Sequence, residues 1–307
     1  MNWLLKTAAF KVLSGLPMGG QLYRYSQEKI TRSLVPTPDR VRGKIHVAFQ
    51  YWDWLKANGY PGDAVPGTIL DFGAGWHPTI PFLFYSLGVE RQFLCDLHPS
   101  LNRDMVDRTM NTFLSIVKAP QEGYRSRLRR LPEPNHNPEL AWTDYLQRMG
   151  ITYHAPYAGL FQEIAGTVEV VVCTQVLYFI SREILADCFR QVFQVMKSGG
   201  KFLATVYLND VNATPQNGLS QYNHLRYSPD IWEKWINSPL MSYNRLKARD
   251  YRELLEQAGF HVRHFDVTGP TAGDLEELAR IPVHECFKHY TREELGAKNL
   301  FFAAEKP

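Results

Sequence analysis

The chain has 307 residues, 45% of them hydrophobic and 21% charged, with a formal net charge of +3. This composition fits a globular protein with a large core and excludes a disordered or low-complexity chain. No apolar run approaches the roughly 20 residues that span a membrane, and the four scattered cysteines lack the spacing of a zinc site or a disulfide framework, so a reducing, cytoplasmic setting is expected.

Charge is unevenly placed. Residues 1–50 hold eight Lys/Arg against Glu28 and Asp39, so +6 lies there and the remainder nets −3. The first predicted helix covers 3–14 and ends at Gly15 and Pro17. A second covers about 21–33, stopped before Pro36 and Pro38. A third, His46 to Asn58, is rich in aromatics (Tyr51, Trp52, Trp54) and closes at Gly59-Tyr60-Pro61. These helices form an N-terminal helical cap, residues 1–62, ahead of an α/β domain over 63–307. Lys6 and Lys11 interrupt the apolar N-terminus, which therefore does not read as a signal peptide. Its basic, apolar character suits either contact with a membrane surface or packing on the α/β domain.

From Thr68 the pattern alternates strand and helix. Strands are expected at about 68–72, 92–96, 151–154, 169–174, 201–207, 260–267 and 299–305. Helices are expected at about 79–87, 181–197 and 249–258. Glu169–Thr174 (EVVVCT) is continuously apolar, as a parallel strand buried on both faces should be. Ser181 is placed to cap the helix after it, and Gly199-Gly200 to end that helix. The alternation predicts a doubly wound, mostly parallel, seven-stranded sheet whose last two strands form an antiparallel hairpin with about thirty residues inserted between them. Residues 209–245 are polar and aromatic and read as an insert over the ligand-binding face. The clustered Arg125, Arg127, Arg129 and Arg130 form either a solvated face or a patch that steers an anion.

The most informative stretch is TILDFGAGWHPTIPFLFYSLGVERQFLCDLHPSL, residues 68–101. Strand one leads into Asp71, then the Gly-x-Gly turn at Gly73 and Gly75. Strand two ends on Asp96, an acid able to accept from ribose hydroxyls. Pro78 stands where close approach to a dinucleotide pyrophosphate would want a third glycine. The segment resembles motif I and the acidic loop of the class I S-adenosylmethionine (SAM)-dependent methyltransferases. That resemblance implies SAM as cofactor, with Asp71, Phe72, Gly73, Ala74 and Gly75 cradling its methionine moiety, Asp96 on the ribose and Leu97 beside the adenine. His98 follows and shapes the pocket, and Thr174, Gln175 and Val176 join the site from the fourth strand tip.

Two departures from the family stand out. The third strand tip reads Tyr153-His154-Ala155-Pro156-Tyr157 where an acid for the adenine amino group is common, leaving backbone groups or the Tyr157 ring to meet the base. After strand four, Tyr178-Phe179 replaces the acid and histidine of many small-molecule enzymes, and the Asn-Pro-Pro-Tyr of DNA and glutamine N-methylation is absent. No nucleic-acid partner is expected, nor a metal. Stretch 243–246, Tyr-Asn-Arg-Leu, looks like a bacterial group acting on small molecules or on glycan and lipid intermediates. His224 and His46 are the candidate bases, with the acceptor expected between the N-terminal helices and the 209–245 insert. A SAM-binding partner protein without catalysis, and a NAD-dependent oxidoreductase, remain open alternatives.

Overall fold

A computed structural model of the chain describes residues 3–15, 34–157, 159–214 and 217–307, and the helix expected over about 21–33 lies outside them. Helix α1 covers Trp3–Ser14 and α2 covers Pro38–Ala57. Helix α2 begins well before the expected His46. Pro38 occupies the first turn, where its fixed φ suits the helix and its missing N–H has no partner to lose.

Seven strands follow: β1 Ile69–Phe72, β2 Gln92–Cys95, β3 Ile151–His154, β4 Val168–Thr174, β5 Met196–Tyr207, β6 His261–Thr268 and β7 Asn299–Glu305. Their order in the sheet is β3-β2-β1-β4-β5-β7-β6. Parallel pairing sets Ile69 opposite Gln92 and Phe72 opposite Cys95, Ile69 opposite Val170, and Gln92 opposite Ile151. All of β1 and β2 and most of β4 are buried, as strands covered on both faces must be. Strand β7 runs antiparallel to β5: Gly199 N donates to Lys306 O, Lys306 N to Gly200 O, and Leu208 N to Lys298 O, so the start of one strand meets the end of the other. Lys298 N donates to Thr268 O and closes the β6–β7 hairpin. The predicted doubly wound α/β sheet with its antiparallel close is therefore present.

Helices α3 Thr79–Ser86, α4 Arg103–Val117, α5 Trp142–Gln147, α6 Leu160–Glu163 and α7 Arg182–Val195 lie between the parallel strands. Beyond β5 come α8 Pro229–Ile231, a π-helical turn at Trp232–Ile236, α9 Ala248–Gln257, α10 Ala272–Ala279 and α11 Arg292–Gly296. Gly199-Gly200 does not end α7, because β5 already starts at Met196 and carries both glycines in the strand.

The chain forms two compact units. The first, the β1–β4 unit, comprises Leu34–Thr174, Gln191–Leu203 and Glu305–Pro307. The second, the β6–β7 unit, comprises Met1–Ser33, Gln175–Arg190 and Ala204–Ala304. In the β1–β4 unit Glu169 gathers the edges: its carboxylate accepts from Gly67 N at 2.9 Å and Tyr60 OH at 3.2 Å, and pairs with Lys197 at 2.7 Å. The arginine cluster serves this unit as structure. Arg127 pairs with Asp53 and lies 3.9 Å over the Phe49 ring, while Arg130 donates to the Tyr85 and Val89 carbonyls. The β6–β7 unit has its own core of Tyr222, Leu225, Leu278, Phe287 and Leu295.

Gly150 fixes where β3 starts. It has φ +69°, its carbonyl accepts from Gln92 N, and an added Cβ would lie 1.7 Å from Glu90 O. Gly123, with φ +67°, has nothing within 4 Å of the same position. Gly123→Ala should lower stability by about 1–2 kcal/mol, the cost of the left-handed backbone alone. Gly150→Ala should cost clearly more, and a larger loss of urea midpoint for Gly150→Ala than for Gly123→Ala is the expected result.

Candidate active site

The turn after β1 is locked to the tip of β2 by backbone bonds. Gly73 N and Ala74 N both donate to Cys95 O, at 2.9 and 3.2 Å. Gly73 and Gly75 have φ of 79° and 65°, values that L side chains adopt only with strain. Gly75 N then donates to Asp96 Oδ2 and Leu97 N to Asp96 Oδ1, both at 2.9 Å. One carboxylate thus ties the glycine turn to the second strand tip. Burial raises the Asp96 pKa while these two N–H groups oppose the rise. Leu97 is 61% exposed and His98 is exposed beside it, its carbonyl accepting from Ser100 Oγ at 3.2 Å. Phe72 and Ala74 are buried under the turn.

Asp71 is 5% exposed. Burial pushes its carboxyl up to about 7, Lys44 opposes this, and Asp96 adds to it. Lys44, on α2, is pushed down by burial and held up by both acids; its Nζ donates to His77 O at 3.0 Å. His77 is in turn pushed down to about 4, first by burial and then by Lys44. Its Nε2 donates to Leu34 O at 2.7 Å. Two carboxyls and one ammonium therefore share a recess with little water. Sequence reasoning missed Lys44, which lies far upstream of the motif on a helix. His77 was within sight, since it sits in the motif loop itself.

At the end of β4, Thr174 Oγ1 lies 3.1 Å from Tyr51 OH, which donates to Cys173 O at 3.0 Å. Tyr51 is fully buried, so the aromatic face of α2 is core. Gln175 comes next, with φ 57°, alone among the described non-glycine residues in having a positive φ, and its Oε1 is buried without a partner. Such strain at a strand tip marks a site that the surrounding structure has to hold. Gln175 N donates to Thr205 O at 2.9 Å. Val176 follows, partly exposed, with its carbonyl accepting from Phe179 N. At the third strand tip, Tyr153 OH accepts from Ser100 N at 2.8 Å, and Tyr157 stacks on Phe161 with centroids 5.1 Å apart.

The two histidines singled out in the sequence belong to different units. His46 is exposed on α2. His224 is 3% exposed, between β5 and α8, and borders a cleft of the β6–β7 unit. Its Nε2 lies 3.0 Å from the fully buried Lys247 Nζ, and burial followed by Lys247 holds the ring neutral. Asn244 secures the same region: its Nδ2 donates to Leu177 O and Ile180 O, its backbone N to Tyr178 O. Stretch 243–246 thus clamps the segment that follows β4.

No protein-family model and no curated protein matches the sequence. Several solved structures are similar in shape. An S-adenosylmethionine-dependent methyltransferase from Mesorhizobium loti is 16% identical, with 83% of this chain and 96% of that one covered and a TM-score of 0.42. Magnesium protoporphyrin IX methyltransferase from Synechocystis PCC 6803, with S-adenosylhomocysteine bound, is 13% identical over 91% of this chain and 88% of its own, at 0.43. A putative methyltransferase of Haloferax volcanii, in complex with the Trm112 activator, is 15% identical over 88% and 94%, at 0.42. Strand order, antiparallel close and glycine turn together give this chain a seven-stranded, doubly wound α/β fold with an antiparallel close.

Proposed function

We propose that the chain transfers a methyl group from SAM to a small-molecule acceptor. The observation that carries this is the junction of the β1 turn with Asp96 at neighbouring strand ends, where open α/β sheets bind ligands. A carboxylate offers about four lone-pair sites. Asp96 takes Gly75 N and Leu97 N, with His98 N also acting on it, which leaves acceptor capacity toward the ribose. Leu97, largely exposed, supplies an apolar face for adenine. The methionine end of SAM carries an ammonium and a carboxylate, and Asp71 and Lys44 match them with opposite charges. Phe72, Gly73 and Ala74 give the floor, His98 the rim, and Thr174 the fourth-strand side.

Methyl transfer from a sulfonium is an in-line displacement that disperses positive charge. The protein's contribution is alignment and exclusion of water. His224 suits an acceptor anchor better than a base. With Nε2 accepting from Lys247, the ring proton sits on Nδ1, which makes it a donor. His46, exposed on α2, is the remaining candidate base.

Two expectations follow from the acids. Asp96→Ala should fold and lose SAM affinity at least about tenfold, since a lost polar contact costs about 1–3 kcal/mol. Calorimetric titration with SAM checks it, and unchanged affinity in a folded variant would contradict the ribose role. Asp71 is a raised carboxyl, so its contribution to stability is full below about 4, its unfolded value, and is lost as pH rises through about 7. Ligand-free wild type should therefore lose Tm relative to Asp71→Asn between pH 5 and 8. SAM affinity should show the opposite dependence, rising over that range in wild type and staying flat in Asp71→Asn. A parallel Tm profile for the two proteins would show that Asp71 does not titrate there.

A further inference from the structure

Arg245 and Lys247, in the β6–β7 unit, stand beside one aromatic cleft, and among the described residues neither has a carboxylate within the 4.0 Å of an ion pair. The enclosed part of the cleft is small, about 20 Å³, room for one small polar group, and the rest of it lies open to solvent. Tyr178, Tyr207, Trp232 and Tyr243 form its walls. The Tyr178 and Tyr243 rings are nearly parallel, 17° apart with centroids at 6.1 Å, and Phe179 lies 4.2 Å from Tyr178. Phe179 and Tyr207 are each 43% exposed. The Tyr207 ring, left open at the edge of the cleft, offers flat apolar surface to a ligand rather than to the core.

The polar side of the cleft is short of negative charge. Arg245 lies between the Trp232 and Phe287 rings, 4.9 and 4.8 Å from their centroids. Its Nη1 donates to His224 O at 3.1 Å and Tyr227 O at 2.5 Å. Its Nε and Nη2 donate to nothing among the described residues. Lys247, fully buried, donates from Nζ to Leu208 O and to His224 Nε2, both at 3.0 Å. The imidazole proton is then on Nδ1, which meets the Gln221 carbonyl in poor geometry and is otherwise unpaired.

Three acids come near, and each already has a partner. Glu233, whose charge reaches Arg245 without an ion pair, accepts from Asn237 Nδ2 at 3.1 Å. Asp210 is 4% exposed and accepts from Asn212 N at 2.8 Å and Asn223 Nδ2 at 3.2 Å. Asp250 accepts from Lys247 N and Tyr290 OH and pairs with Arg182. A half-buried guanidinium with an uncommitted edge is costly unless an anion completes it. The planar fork fits a carboxylate with two parallel bonds.

We propose that this cleft binds the carboxylate of a planar, apolar molecule, gripped by the Nε–Nη2 edge of Arg245 while the rest of its plane lies outside, against the exposed Tyr207 ring. The His224 Nδ1 proton and the neighbouring Lys247 add to the field that favours an anion. Identifying this molecule as the methyl acceptor rests on the methyltransferase reading; recognition of the carboxylate does not.

The test uses the full chain without SAM and two probes of nearly equal shape, benzoate and the neutral benzamide, titrated by calorimetry. Wild type should bind benzoate saturably and benzamide at least tenfold more weakly. Arg245→Met should abolish that preference, and Arg245→Lys, which keeps charge but not the fork, should fall between. Thermal melts and a SAM titration verify that each variant is folded. If Arg245→Met fails to fold, Arg245→Lys carries the test alone. Absence of saturable benzoate binding to wild type, equal binding of the two probes, or an undiminished preference in Arg245→Lys and Arg245→Met would overturn the proposal. A retained benzoate preference with no SAM binding would sink the methyltransferase reading and leave the anion cleft standing.

Discussion

The parallel register of β1 on β2 is the constraint on which the site depends. Asp71 faces Leu94 and Phe72 faces Cys95, so the chain leaves β1 opposite the last residue of β2. Cys95 O can then receive two turn N–H groups and Asp96 a third. A one-residue slip would turn every β1 side chain to the opposite face and separate the glycine turn from the acid. Burial of β1 and β2 on both faces makes such a slip expensive. Core packing, not the loop, sets the geometry of the site.

Charge is arranged against stability in the same place. Asp71 is nearly inaccessible and shares one ammonium, that of Lys44, with Asp96. A core optimised for stability would not hold two acids against one base with so little water. Such a site gains most from a ligand that brings its own ammonium and carboxylate. The positive φ of Gln175 and its orphaned amide oxygen belong to the same pattern, strain and unmet polarity collected at strand tips.

Much of this was legible in the sequence. Asp71, Gly73, Gly75 and Asp96 stand within 26 residues, and each sits where a βαβ unit requires its chemistry, so local pattern and fold agree. The errors came from residues with two readings. Pro38, read only as punctuation, occupies the first turn of α2, so that helix starts well ahead of His46. Gly199-Gly200 resembles a C-cap, but the end of β7 hydrogen-bonds across it and draws it into β5. Contacts between distant segments left no local trace at all. Lys44 reaches Asp71 only because α2 folds back on the turn, and Lys247 meets His224 only through the fold of the segment after β5.

A crystal of the chain grown with S-adenosylhomocysteine tests the central claim most directly. The account predicts density for the ligand with both ribose hydroxyls on Asp96, the amino-acid end between Asp71 and Lys44, and the adenine along Leu97. A ligand bound elsewhere with Asp96 untouched, or no binding at saturating concentration, would contradict it.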